Sequence, residues 1–170
     1  MTMTSEQPTV PTSPSPPLGA TALTALTPIV PGKRAQLQQV LASVGAQINS
    51  GGRTALDEIG TVHFLRWVVI PDGEDGGQLL FTSNFDGPWD DYIEDFAAKS
   101  AESFQAIYSN CVGWPEGGPK DVDAFKAYVR QHEIKADVYY RAYPKATVKR
   151  VKAALKLKDA VDNLLIVLNE

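Results

Sequence analysis

Val62-His63-Phe64-Leu65-Arg66-Trp67-Val68-Val69-Ile70, closed by Pro71, is the stretch that decides the fold. It is dense in β-branched and aromatic residues, which suit a pleated, half-buried surface, so it reads as a strand. Asp72 to Gly77 follows with three glycines and three acidic residues, the composition of a hairpin loop. Gln78 to Phe85 is then the returning strand, broken by Gly87 and Pro88.

Outward from this hairpin, Ala20 to Thr27 alternates small and apolar residues with threonine and is ended by Pro28, which predicts a first strand. Pro31 and Gly32 open a helix whose Leu37, Val40, Leu41, Val44 and Ile48 recur at helical spacing, and Asn49 to Gly52 stops it. On the other side, Pro88 starts a helix with the stripe Trp89, Tyr92, Ile93 and Phe96. Phe104, Ile107, Tyr108 and Cys111 continue helical structure towards Gly113, and Trp114 to Lys120 is a loop. Asp121 caps a helix carrying Val122, Phe125 and Val129. Ala136 to Tyr143, ended by Pro144, reads as a last strand. Thr147 to Leu168 is a final helix with Val148, Val151, Leu155, Val161, Leu164, Leu165 and Leu168 turned inward.

The order β-α-β-β-α-α-α-β-α contains βαββαβ, the ferredoxin-like split βαβ arrangement. The expected fold is therefore α+β: a four-stranded antiparallel sheet with helices on one face, and extra helices before the last strand and at the C-terminus. Residues 18–170 form the single domain. Residues 1–17 hold five prolines among Thr and Ser and predict a disordered arm, since they cannot bury enough surface to offset their ordering. A sheet with one uncovered face calls for a homodimer.

Composition limits the function. A net charge of -4 argues against nucleic acid as a partner. The cations from Lys145 to Lys158 spread round a helix and read as a solvated face. Cys111 is the only cysteine, so neither an intrachain disulfide nor a cysteine-rich zinc site is expected. No apolar run approaches the roughly 20 residues of a membrane span. The N-terminus has no early cation and no apolar core of a secretory signal, which places the protein in the cytoplasm.

With this topology the chain resembles, at the level of fold, the dimeric α+β-barrel superfamily. That group includes heme enzymes of the chlorite dismutase and dye-decolorizing peroxidase type and cofactor-free monooxygenases of antibiotic biosynthesis. The resemblance covers Leu18 to about Tyr143. The runs His63 to Trp67, Leu80 to Gly87 and Cys111 to Pro115 are also similar to segments of larger bacterial proteins of no assigned activity. Asp86-Gly87 matches the end of the distal peroxidase motif, whose remainder is absent here. The resemblance implies a dimeric barrel and an oxidoreductase, heme-dependent or cofactor-free, acting on a small molecule. Fold alone does not fix function.

Strand alternation sorts the candidate residues. Val62, Phe64, Val68 and Ile70 are expected to pack on the helices. His63, Leu65, Trp67 and Val69 would then face the open side with Tyr139, Arg141 and Tyr143. His63 could ligate heme iron or serve as a general base; the alternative is a half-buried histidine satisfied by its neighbours. Asn84, Asp86 and Arg141 are the polar residues that could complete a catalytic pocket. Asn84 and Asp86 equally suit a cap or turn. Trp67, Tyr139, Tyr143 and Trp114 are candidate substrate contacts, with core packing the other reading for Trp114. Arg66 needs a carboxylate, for which Asp86, Glu94 and Asp95 stand nearby in the chain. Three functions follow: an oxidoreductase with its pocket near His63, a hydrolase or lyase using His63 as base, or a non-catalytic dimer that binds a ligand or partner.

Overall fold

The computed structural model of the chain describes residues 19–52 and 54–168, with side chains through residue 166. The arm expected over residues 1–17 lies outside them. The fold is α+β. Strands β1 (Thr21–Pro28), β2 (Val62–Asp72) and β3 (Gly76–Phe85) form one antiparallel sheet in the order β1-β3-β2. Helices α1 (Arg34–Asn49), α2 (Ala55–Ile59), α3 (Trp89–Lys99), α4 (Ala101–Tyr108) and α5 (Val122–His132) contribute to a single core against one sheet face. The last helix, α6 (Val148–Leu168), stands apart from that core.

Cross-strand register shows which residues share a face. Leu23, Ser83 and Leu65 form one row, Ala25, Phe81 and Trp67 the next, and Thr27, Leu79 and Val69 a third. All three rows lie against the helices. The alternate rows are Ala22-Asn84-Phe64, Thr24-Thr82-Arg66, Leu26-Leu80-Val68 and Pro28-Gln78-Ile70. They face away from the helices, and Phe64 is 76% exposed.

The alternation expected for β2 is thus reversed from Phe64 onward. Val62 pairs with Phe85 and Phe64 with Asn84, so His63 is an extra residue in the ladder. Such a bulge shifts the phase by one, and a period-2 pattern then exchanges its faces. Val62 stays on the core side, where Leu65, Trp67 and Val69 join it, while Phe64, Val68 and Ile70 turn outward. Arg66 turns outward with them. Its expected carboxylates are engaged elsewhere: Asp86 with His63, Asp95 with Lys99, and Glu94 with Lys126.

Aromatic packing organises the core. The Phe104 ring centroid lies 4.5 Å from Phe96, 5.5 Å from Tyr108, 5.7 Å from Phe125, 6.0 Å from Trp67 and 6.2 Å from Phe81. These partners come from β2, β3, α3, α4 and α5, so one ring touches five elements. Phe85 stacks on Tyr92 at 3.8 Å, and the hydroxyls of Ser83 and Tyr92 are hydrogen-bonded. At the rim, the Arg130 guanidinium sits 3.4 Å above the Trp89 ring. The Arg34 guanidinium donates to the carbonyls of Gly73, Glu74 and Gly76, fastening the hairpin tip to the start of α1.

Two further expectations are corrected. Among the described residues the sheet has three strands, because Ala136–Tyr143 does not pair. Just before it, Glu133 bridges Ala25 and the Ile134 N–H donates to the Thr24 carbonyl at 2.8 Å. The alternating polar and aromatic side chains that suggested a strand are those of an exposed connector instead. In α6, Val148 is buried, but Val151, Leu155, Val161, Leu164 and Leu165 are all exposed. These side chains lie at the surface of the described residues rather than turned inward. The Leu168 side chain lies outside the described residues.

Burial pushes the Cys111 thiol up from 9.0 to about 12 and raises the phenols of Tyr92, Tyr108 and Tyr128 as well. The unfolded chain loses these protons at ordinary values while the folded chain retains them. Their contribution to stability is therefore complete below about pH 9 and is lost as pH rises above it. A melting temperature lower at about pH 10.5 than at about pH 8 is the expected result. Phe104→Ala should cost about 3–5 kcal/mol in a urea unfolding titration, because no single neighbour can fill a space shared by five elements.

Candidate functional site

The polar and aromatic residues singled out by the sequence fall at three separate places. At the end of the sheet, His63 Nε2 lies 2.9 Å from Asp86 Oδ1, with the two side chains only 15% and 13% exposed. Asp86 Oδ2 accepts the Val148 N–H at 2.7 Å, and the Asp86 N–H donates to the Thr61 carbonyl at 2.9 Å. The bulge in β2 sets His63 beside the end of β3. A carboxylate at the start of α6 also meets the positive end of the helix dipole. A carboxylate-held imidazole is an arrangement that can orient a base. Here the second carboxylate oxygen is committed to the first residue of α6.

On the far face of the sheet, Asn84 Nδ2 donates to the Tyr139 hydroxyl at 3.0 Å, which pins the connector across β1. Arg141 Nη1 reaches the Ala20 carbonyl at 3.5 Å, and Tyr143 is 80% exposed. Gly19, at φ +99°, lets the connector approach closely, since a Cβ there would stand 1.9 Å from the Pro144 carbonyl oxygen. These residues fasten the connector to the sheet. They do not converge on His63.

The third place is a cleft of about 400 Å³ on the helical side. Its walls come from the C-terminal half of α1, from α2, from the start of α4 and from Trp67 of β2. Val44, Ile48, Leu56, Trp67 and Phe104 give it an apolar surface. Gln47, Thr54, Ser100 and Ser103 supply amide and hydroxyl groups. The Ser100 hydroxyl, at the joint between α3 and α4, is buried without a hydrogen-bond partner. Among the described lining residues none is charged.

Trp67 is therefore a cleft residue, though on the opposite face from the one expected. It does not share a site with His63, Tyr139, Arg141 and Tyr143. Trp114 belongs to the aromatic core, 5.0 Å from Tyr128 and 5.2 Å from Tyr108, with its indole N–H donating to Gln105 Oε1 at 2.9 Å. Sequence reasoning missed the cleft because three separate helices build it. One local signal was present: Thr54 and Asp57 form a capping box, with the Thr54 N–H donating to Asp57 Oδ2 at 2.8 Å, and it starts the short α2.

The heme implied by the resemblance does not fit these residues. His63 turns Nε2 to Asp86 and lines no part of the cleft, and no histidine, cysteine or methionine is among the described lining residues. No group of three or more metal-ligating side chains occurs among the described residues, and none of their helices is long and apolar enough to cross a membrane. Comparison with protein-family models, curated proteins and solved structures finds no match to this chain.

The Asp86 clamp has a measurable consequence. Asp86→Ala removes the partner of a part-buried imidazole and of a backbone N–H at once. It should lower unfolding stability by roughly 1–3 kcal/mol. It should also increase hydrogen exchange at Val148, whereas exchange in the core of β3 should change only in proportion to global stability.

Proposed function

We propose that this chain is a small-molecule-binding domain whose ligand sits in the cleft beside Trp67. The observation that carries this reading is the cleft itself. Its volume lies within the roughly 300–1,000 Å³ usual for ligand sites, and a mostly apolar wall with a few polar groups is the usual composition. The described part of the lining carries no charge, which favours a neutral ligand, because a charged one would lose hydration without gaining a counter-ion there. The Trp67 and Phe104 rings suit a planar, partly aromatic body. The unpartnered Ser100 hydroxyl, with Ser103 and Gln47 nearby, suits a ligand that carries hydrogen-bonding groups.

Ligand binding is thus favoured over the oxidoreductase reading, because the described lining residues include no histidine, carboxylate or thiol to handle protons or electrons. The hydrolase or lyase reading rests on the His63–Asp86 pair, for which the structure supplies an orienting carboxylate.

Indole and benzamide, two neutral planar probes, should give saturable shifts of the Trp67 indole and Ser100 amide signals in a ¹H–¹⁵N NMR titration. Ser103→Trp, which fills the cleft from its partly exposed wall, should abolish those shifts while leaving the rest of the spectrum in place. Shifts that stay linear to the solubility limit of both probes, or that survive in Ser103→Trp, would remove the cleft as the ligand site.

A further inference from the structure

The described residues leave two apolar surfaces exposed. The first is the part of the sheet face opposite the helices that the connector at Tyr139 leaves open, where Phe64, Val68 and Ile70 are 76%, 41% and 43% exposed. The second is α6. Every described side chain of that helix after Val148 is exposed, yet Leu157, Val161 and Leu164 fall at i, i+4 and i+7, the spacing of a packed face. Helices in proteins owe most of their stability to the packing of an apolar face, so this exposed stripe calls for a partner surface.

We propose that two copies of the chain exchange α6, each helix lying across the open sheet face of the other copy. The dimensions agree. At 1.5 Å per residue α6 is about 31 Å long, and the 11 residues of β2 span about 36 Å. Three strands at about 4.8 Å spacing make a face roughly 10 Å wide, the diameter of one helix. Two such reciprocal footprints, each on the order of 300 Å² per side, bury about 1,200 Å² in all. That reaches the lower end of the range for stable specific interfaces. A twofold axis makes both contacts equivalent and leaves neither surface over.

The path of the chain favours exchange over folding back. The start of α6 is fixed at the end of its own sheet by the Asp86–Val148 bond and by the close approach of Pro144 to Gly19. From there the helix runs clear of its own core. Charge does not oppose the contact. From Ala154 onward α6 carries Lys156, Lys158, Asp159 and Asp162, so the half that bears the stripe adds no net positive charge opposite Arg66. The ligand cleft lies on the other side of the sheet, so this assembly neither needs nor blocks it.

The test uses two variants of the full chain, both altered only at exposed positions. One carries Leu157→Glu and Leu164→Glu on α6. The other carries Phe64→Lys and Val68→Lys on the sheet. Sedimentation equilibrium should show the natural chain as a dimer and each variant alone as a monomer, with far-UV circular dichroism reporting that the core is folded. An equimolar mixture of the two variants should dimerise again, at least about tenfold more weakly than the natural chain, because one of the two helix-on-sheet contacts is intact. A monomeric natural chain overturns the proposal. So does a sheet variant that stays dimeric while the helix variant does not, which would mean that α6 pairs with α6. A mixture that remains monomeric overturns it as well.

Discussion

Phe104 receives side chains from β2, β3, α3 and α5 as well as its own helix, and the placement of the other elements follows from that convergence. For Trp67 to reach this ring, β2 must present Leu65, Trp67 and Val69 to the helices. The bulge at His63 is what puts the strand in that phase. The same bulge brings the His63 imidazole to Asp86, and Asp86 in turn holds the first residue of α6. Core packing, the clamp at the sheet end and the outward course of the last helix are therefore linked through one extra residue in one strand. Buried aromatic area supplies most of the stabilisation here, and edge-to-face ring pairs add to it.

The hairpin was legible because its signals are local. β-branched residues fill Val62 to Ile70, and an acidic, glycine-rich loop joins them to Gln78–Phe85. The amphipathic stripes of α1, α3 and α5 were legible for the same reason, and Asp121 does cap α5 by accepting the Ala124 N–H. The phase of β2 was not legible, because a bulge is specified by the partner strand and the core rather than by composition. Alternation at Asp137, Tyr139, Arg141 and Tyr143 imitated a strand, although the backbone bonds to β1 lie before it, at Glu133 and Ile134. The stripe of α6 was read correctly as apolar. Its burial was not legible, because an apolar stripe does not say which surface covers it, and the described residues leave it exposed.

The candidate site divides in the same way. His63 and Asp86 were both singled out, and the fold brings them together, as it does Asn84 and Tyr139. Trp67 was singled out too, but its companions in the cleft come from α1, α2 and α4, distant in sequence and ordinary in type. A serine at the joint of two helices carries no signal until the helices are placed. Long-range contacts such as that of Arg34 with the hairpin carbonyls are invisible to sequence pattern for the same reason.

Among the described residues β2 pairs with β3 alone, so one side of its 11 residues is an edge of the sheet. An edge of that length, flanked by exposed Phe64, Val68 and Ile70, is a template onto which another extended chain can grow. Pro71 withholds one N–H, and Asp72, Glu74 and Asp75 place like charges at the tip, so growth is discouraged at the hairpin end only. The opposite end carries no such guard beyond the bulge. That asymmetry marks the end of the edge near Phe64 as the place where such growth would start, and an added cation on the outer edge there is the substitution that would guard it.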